Sequence, residues 1–172
     1  VLGSSNAYGV GGENGGWADL VKLWLHQKMY KEDGAGERHE LYNFAMSGVP
    51  TSFVANSFQS QLAVYGRKKW RKIAILAIGG NDIKAIGTPD NYVSTLEEFE
   101  DEMRALMTKI MAQTDQLIAM GYRPYDEDKT YPRKSPFTGS VSYFGNGRRK
   151  QFDNKLQELC KELSASYVQL AV

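Results

Sequence analysis

The spacing of apolar residues along the chain predicts its helices. Apolar positions recur every three or four residues in several segments, which is typical of helices that bury one face. The third of these helices is expected to begin at a capping box formed by Ser94 and Glu97, and to include Leu117 and Ile118. The predicted helices are Trp17–Tyr30, a helix capped by Thr51 or Ser52 that stops at Gly66, a long helix that ends at Gly121, and about Arg149–Leu163.

Short apolar runs predict the strands: Val1–Leu2, Leu41–Met46, Ile73–Ile78 and Tyr167–Val172. The run Ile73–Ile78 is continuous and bounded by charge and glycine, as in a central strand covered on both faces. A further strand is expected after Gly121, but "YRPYDEDKTYPR" is polar and holds no apolar run. Strands that alternate with helices predict right-handed βαβ units, and hence an α/β fold with a parallel sheet.

Composition and charge narrow the class of protein. The chain has 172 residues, 42% of them hydrophobic and 24% charged, which is ordinary for one soluble globular domain. The 21 basic and 20 acidic residues nearly cancel, so no nucleic-acid or membrane-surface partner is expected. The clusters "GRKKWRK" and "GRRK" are interpreted as solvated faces. No apolar run reaches transmembrane length and no signal peptide is visible, so the compartment stays unassigned.

The residue types that bind metals or attack substrates are few. The lone cysteine, Cys160, lies in a helical pattern and is predicted to be a small core residue. His39 precedes the second strand and is expected at the opposite end of the sheet from the first strand's carboxyl end. His26 lies late in the first helix. Neither histidine belongs to a ligand-like cluster, so no metal or other cofactor is expected.

Polar groups follow three of the predicted strands. Ser5 comes after the first strand, Gly48 after the second and Asn81 after the third. Ligands of open parallel sheets bind beyond the carboxyl ends of the strands, where these three residues are expected to meet. A hydroxyl, a bare backbone N–H and a side-chain amide are the groups that acyl transfer requires, as a nucleophile and as donors to an oxyanion.

Three segments carry a resemblance to a known family. "VLGSSNAYG", "NFAMSGVPTS" and "AILAIGGNDI" resemble the first three conserved blocks of the SGNH hydrolases, also called the GDSL esterase/lipase family. "GWADLVKLWL" and "NGRRKQFDNKLQELCKEL" resemble the family's first and last helices. The resemblance covers nearly all of residues 1–172 except Tyr122–Tyr143. It implies a single domain with a flavodoxin-like, three-layer α/β/α sandwich.

The resemblance also implies an activity and a site. The chain is expected to be a serine esterase with Ser5 as nucleophile. The oxyanion hole would consist of the Ser5 and Gly48 N–H groups and the Asn81 amide. Asp82 is expected to hold the loop rather than touch substrate. Family members cleave lipid esters, thioesters and acetylated sugars, so the implied substrate is a small-molecule, polysaccharide or lipid ester.

Two departures from the family pattern stand out. Ser4 occupies the position where the family usually has Asp, which changes local hydrogen bonding. The family's Asp-x-x-His block, which supplies the base, follows the last strand, and this chain ends at Val172 within that strand. We therefore expect a chain truncated at both ends, with its base outside residues 1–172. Such a polypeptide is expected to show little or no turnover alone.

Two other functions compete with the esterase. Gly9, Gly11 and Gly15 approach a dinucleotide fingerprint. However, these glycines follow a polar stretch rather than the strand, and no ribose-binding acid ends the second strand; we interpret them as a flexible run into the first helix. A non-catalytic module of the same fold is the stronger alternative. Ser4 and the absent histidine favour it, whereas the retention of Ser5, Gly48 and Asn81 argues against it.

The loops that would select a substrate are Ile83–Val93 and Arg133–Asn146. They hold aromatic residues that are candidates either for a sugar- or acyl-binding wall or for ordinary loop anchors: Tyr92, Tyr131, Phe137, Tyr143 and Phe144.

Overall fold

Four parallel strands form the central sheet of this computed structural model, which describes residues 1–31, 34, 36–67, 69–136 and 138–170. The strands lie in the order β1-β2-β4-β7. Their bounds are β1 (Leu2–Gly3), β2 (Ile73–Ala77), β4 (Gln116–Met120) and β7 (Ser166–Val168). All pairs are parallel, so the carboxyl ends of the strands share one edge of the sheet.

Seven helices connect the described strands: α1 (Ser5–Tyr8), α2 (Trp17–Met29), α3 (Thr51–Tyr65), α4 (Gly80–Ile83), α5 (Leu96–Met111), α6 (Glu127–Thr130) and α7 (Asn146–Leu163). The long helices α5 and α7 supply much of the core. Phe99 of α5 and Phe152 of α7 are fully buried, and their rings pack at 4.6 Å. Cys160 is also buried, as predicted, and burial raises the pKa of its thiol to about 11.

A small antiparallel sheet is formed by three short strands that no apolar run in the sequence had marked. It comprises β3 (Ala85–Ile86), β5 (Arg133–Lys134) and β6 (Val141–Tyr143), in the order β3-β6-β5. Tyr92 forms an isolated backbone bridge with Ala85 of β3. Because β3 follows α4 directly, this sheet stands beside the carboxyl edge of the central sheet.

Strand β4 of the central sheet was wrongly predicted as helix. Helix α5 ends at Met111, and Leu117 and Ile118 belong to β4. Their spacing continues the apolar pattern of α5, which hides the change of element. The break is made by a contact distant in sequence, because the Asp115 carboxylate accepts a hydrogen bond from the Lys72 N–H at 2.7 Å and the Asp115 N–H donates to the Lys72 carbonyl. These bonds align the chain beside β2.

The predicted strand Leu41–Met46 is not a regular strand. Its segment runs beside β1, and the N–H groups of Phe44 and Met46 donate to the carbonyls of Val1 and Gly3 at 2.9 and 3.1 Å. The Asn43 side chain accepts the Ala45 N–H and donates to the Ala7 carbonyl, so side-chain bonds replace part of a ladder. At the other end, β7 covers only Ser166–Val168, and residues 171 and 172 lie outside the described part of the chain.

Of the four predicted helix starts, the one at Trp17 is confirmed, whereas α7 begins at Asn146 rather than at about Arg149. The starts of α3 and α5 also require correction. Helix α3 is N-capped by Pro50, with Thr51 as its first residue, although it does end before Gly66 as predicted. The capping box of α5 is formed by Thr95 and Glu98, one residue later than Ser94 and Glu97. The hydroxyls of Thr51 and Ser94 both donate to the Asp82 carboxylate, so these two residues connect the starts of α3 and of the α5 segment to α4.

Some residues that the apolar patterns predicted to be buried are exposed. Ala74, Leu76 and Ile78 of the β2 region are buried, but Ile73 is 49% exposed, so the strand is not covered equally on both faces. Helix α2 forms nearly where predicted, yet Leu20, Leu23 and Trp24 are more than half exposed. No described helix is long and apolar enough to cross a bilayer.

Candidate active site

Ser5 lies at the turn between β1 and α1. The Ser4 N–H donates to the Ala77 carbonyl at 3.2 Å and prolongs the pairing with β2, and Ser5 then begins the helix. A Cβ on Gly3 would lie 2.9 Å from the Ala7 Cβ, so only glycine permits this tight turn. The Ser5 side chain is half-buried, and among the described residues its hydroxyl has no hydrogen-bond partner. The turn therefore leaves a free hydroxyl at the carboxyl edge of the sheet.

Gly48 lies on the neighbouring loop at the same edge. Its φ of +84° is in the left-handed region that favours glycine. Its position is exposed, and a Cβ there would meet no atom within 4 Å, so the backbone is open to approach. Within the described part of the chain, the Gly48 N–H donates to no other group. An unpaired, accessible backbone donor is what an oxyanion requires.

Asn81 lies on α4, directly after β2, and its amide is held from both ends. Nδ2 donates to the Val49 carbonyl at 3.0 Å, and Oδ1 accepts from Lys84 Nζ at 2.9 Å. A carbonyl only accepts and an ammonium only donates, so both partners select the same orientation of the amide. The bond to Val49 joins the Asn81 loop to the Gly48 loop and leaves one Nδ2 hydrogen for another acceptor.

Lys84 is the site residue that the sequence analysis missed. It is half-buried, and burial lowers the pKa of its ammonium; Arg133 acts in the same direction and Asp82 opposes it. The signal in the sequence was a cation three residues after Asn81, which is the spacing at which helical side chains meet. Because α4 has only four residues, the sequence does not predict it, and the three-residue spacing is informative only once the helix is seen in the structure.

Asp82 ties three segments together below the site. Its carboxylate is fully buried and accepts bonds from the Thr51 N–H and Oγ1 and from the Ser94 hydroxyl at 3.1–3.3 Å. Burial raises the pKa of Asp82, and these hydrogen bonds oppose that rise. The carboxylate thereby connects α4 to the start of α3 and to the segment that precedes α5.

Gly79 determines how α4 leaves the sheet. Its φ is +107°, and a Cβ at this position would lie 2.0 Å from the Tyr122 hydroxyl oxygen. That hydroxyl donates to the Ile78 carbonyl at 2.9 Å and is itself buried. Both backbone conformation and space therefore require glycine here, whereas a Cβ on Gly80 would meet nothing within 4 Å.

Neither histidine contacts Ser5. His39 Nε2 is 3.8 Å from a Glu37 carboxylate oxygen, and its N–H donates to the Met29 sulfur. His26 is exposed on α2 and meets the Tyr30 ring edge-on. Among the described residues, no group of three or more His, Cys, Asp or Glu side chains could hold a metal ion.

The arrangement at this edge can serve acyl transfer. The structure brings the loops of Ser5, Gly48 and Asn81 to the carboxyl ends of neighbouring chain segments, through the bonds of Ser4 to Ala77, Met46 to Gly3 and Asn81 to Val49. A free hydroxyl and neutral donors at one edge match the attack on a carbonyl and the charge that develops on its oxygen.

Comparison with known proteins identifies related sequences and folds. A family model described as the GDSL-like lipase/acylhydrolase family matches residues 1–171. No curated protein matches the chain in sequence.

Several solved structures share the fold. The psychrotrophic esterase EstA from Pseudoalteromonas sp. is 16% identical, with a TM-score of 0.63, over 98% of this chain and 76% of that chain. AlinE4, an SGNH-hydrolase family esterase, is 15% identical, with a TM-score of 0.64, over 97% and 72%. A catalytic mutant of Axe2, an acetylxylan esterase from Geobacillus stearothermophilus, is 16% identical, with a TM-score of 0.60, over 97% and 73%. The predicted α/β/α fold of the SGNH hydrolases is confirmed.

Proposed function

This chain belongs to the GDSL-like lipase/acylhydrolase family, and we propose that it is a serine esterase that cleaves carboxylic esters through an acyl-enzyme on Ser5. The family and its esterase structural neighbours support hydrolysis of ester substrates. The observation that carries the assignment to Ser5 is its free hydroxyl on the strand-to-helix turn, at the edge where the donors of Gly48 and Asn81 also lie.

In the proposed reaction, Ser5 Oγ attacks the ester carbonyl carbon and its proton passes to a base. The carbonyl oxygen becomes an oxyanion that accepts hydrogen bonds from the Ser5 N–H, the Gly48 N–H and the free Nδ2 hydrogen of Asn81. Collapse of this intermediate expels the alcohol, which takes the proton, and leaves an acyl ester on Ser5. Water then attacks that ester by the same route and releases the acid.

The proposed base is a histidine outside residues 1–172, oriented by an aspartate. His26 and His39 engage other groups and do not contact Ser5. Catalytic mutants of the Geobacillus acetylxylan esterase replace a serine in one case and a histidine in another. A hydroxyl nucleophile requires an adjacent base for activation, and histidine is the base of the Ser-His-Asp triad.

Lys84 acts in this proposal as a positioning residue. Its ammonium holds Oδ1 of Asn81 and thereby directs Nδ2 away from itself, toward Val49 and the oxyanion. If the Asn81 amide were turned over, its oxygen would face the Val49 carbonyl and the oxyanion, and both contacts would be repulsive. The bond from Lys84 makes that orientation unfavourable.

The test uses the full-length protein and a fluorophosphonate probe, which reacts with activated serine hydroxyls. The esterase EstA, one of the structural neighbours, has been crystallised in a form inhibited by monoethylphosphonate, a related phosphonate. Wild type is expected to be labelled and to hydrolyse p-nitrophenyl acetate. Ser5→Ala is expected to lose both, and Ser60→Ala, on the exposed face of α3, is expected to retain both. Labelling that persists in Ser5→Ala would assign the nucleophile to another residue. Absence of labelling and turnover in wild type would support a non-catalytic module.

A further inference from the structure

A cleft of about 240 Å³ opens between α4, the small sheet and the start of α7. Three of the aromatic residues noted in the sequence line it, namely Tyr92, Tyr131 and Tyr143. The Tyr131 and Tyr143 rings meet edge-to-face at 5.2 Å, and the Tyr92 and Tyr131 side chains remain nearly half exposed. Phe144 packs on Tyr125 instead, and Phe137 lies outside the described residues.

The polar groups of this cleft include hydroxyls, an anion and a cation, and some of them have no hydrogen-bond partner among the described residues. In the described part of the chain, none of the three tyrosine hydroxyls has a hydrogen-bond partner. Glu127 accepts the Asn146 N–H with one carboxylate oxygen and keeps the other available. Arg148 lies opposite, with its guanidinium 3.9 Å from the Tyr92 ring centroid. The lining thus offers aromatic surface, several hydroxyls, one anion and one cation.

The cleft is continuous with the element that carries the oxyanion donor. Ile83, which lines it, is the last residue of α4, two positions after Asn81. Arg148 donates from Nε to the Ile83 carbonyl at 2.9 Å and from Nη2 to the Ser94 carbonyl. These bonds hold the Arg148 wall of the cleft against the end of α4, the short helix that also carries Asn81.

We propose that this cleft binds one sugar ring of an acetylated carbohydrate, whose acetyl ester is then presented to Ser5. The proposal rests on the proposed esterase function and selects among its substrates. A sugar ring has C–H faces that pack on aromatic rings, and hydroxyls that both donate and accept hydrogen bonds. The tyrosine hydroxyls, the free Glu127 oxygen and the Arg148 guanidinium provide both kinds of partner.

Other occupants fit the cleft less well. A long acyl chain requires an apolar lining, and here hydroxyls and charges surround the space. An anionic ligand would meet Glu127 as well as Arg148, so the cleft carries no net positive charge. Its volume is also below the roughly 300–1,000 Å³ of pockets that hold drug-sized ligands. One neutral ring is therefore the expected occupant.

Gly145 offers a way to close the cleft. Its φ is −102°, which any residue adopts, and a Cβ there would lie 3.6 Å from Tyr131 and 3.8 Å from Glu127, in ordinary contact. A larger side chain at this position would project toward those two residues without backbone strain. Gly145→Leu is therefore a blocking variant, and Tyr131→Ala removes one aromatic wall.

The experiment compares two acetyl esters on the full-length protein, xylose tetraacetate and p-nitrophenyl acetate. The ratio of their kcat/KM values is expected to fall about tenfold in Gly145→Leu and in Tyr131→Ala, the scale of one lost aromatic contact. Tyr30→Ala, at the exposed end of α2, is the matched control and is expected to keep the ratio. An unchanged ratio in both cleft variants would overturn the proposal, as would a selective loss on p-nitrophenyl octanoate.

A binding measurement separates this proposal from the esterase assignment. Xylobiose, which carries no ester, is titrated into Ser5→Ala and followed by NMR. Saturable binding that disappears when Gly145→Leu is added would support the cleft even if wild type hydrolysed no ester. Absence of binding to Ser5→Ala, or binding that Gly145→Leu leaves intact, would refute it. Thermal unfolding of each variant excludes loss of fold as the cause.

Discussion

Lys84 Nζ donates to Asn81 Oδ1 at 2.9 Å, and Asn81 Nδ2 donates to the Val49 carbonyl at 3.0 Å. Lys84 thus sets the orientation of the Asn81 amide, whose oxygen and nitrogen differ in that the oxygen accepts and the nitrogen donates. Without Lys84, the amide would be held from the Val49 side alone.

Lys84→Met keeps much of the length of the side chain but removes its donor. We expect kcat to fall about tenfold with little change in KM, because one charge-assisted hydrogen bond is lost from an oxyanion donor rather than from the substrate. Steady-state kinetics on p-nitrophenyl acetate measure both constants. Lys109→Met, on the exposed face of α5, is the control. Adding Lys84→Met to Asn81→Ala should cost little more; a full additional loss would show that Lys84 does not act through Asn81.

Asn81→Ala tests the oxyanion donor directly. Loss of one such donor typically lowers turnover by about 10²–10³-fold, and we expect that loss in kcat with an unchanged fold by circular dichroism. The exposed Asn154→Ala on α7 provides the comparison. Near-normal turnover in Asn81→Ala would contradict its assignment to the oxyanion hole.

The two adjacent glycines after β2 should respond oppositely to alanine. Gly79→Ala forces a side chain into a left-handed conformation and onto the Tyr122 hydroxyl, so we expect a loss of about 2 kcal/mol or more in the free energy of unfolding. Gly80→Ala meets no neighbour and should be neutral or stabilising by up to about 1 kcal/mol. Urea unfolding of both variants measures the difference. Equal stability of the two would contradict the described path of the chain into α4.

Asp82 should contribute to the pH dependence of stability. Its pKa is raised by burial above the ordinary value of 3.8, so the folded state holds this proton to higher pH than the unfolded state does. The free energy of unfolding of wild type relative to Asp82→Asn should therefore fall as the pH rises from 3.8 through the folded pKa, and then level off. Chemical unfolding across this range gives that difference. A rise over the same interval would mean that the hydrogen bonds from Thr51 and Ser94 outweigh burial.

Local sequence patterns sufficed for much of the architecture. Apolar spacing predicted α2 to within one residue and the body of α7 from about Arg149, although α7 begins at Asn146. A continuous apolar run predicted β2 to within one residue. Burial of Cys160 also follows from its place in such a pattern. These features depend on residues near one another in the chain, and the choice of Ser5, Gly48 and Asn81 as candidates needed only their positions after predicted strands.

Tertiary contacts decided the remainder. Bonds between Asp115 and Lys72 end the α5 region and align β4, and the Asp82 carboxylate joins α4 to Thr51 and Ser94 through their hydroxyls. The contact of Lys84 with Asn81 also depends on the folded structure, because it exists only once α4 forms. The cleft depends on it as well, because its lining comes from four separate segments. The sequence by itself determined which residue types follow each strand. Only the folded chain decided which of them meet, because those hydrogen bonds join residues that no local pattern relates.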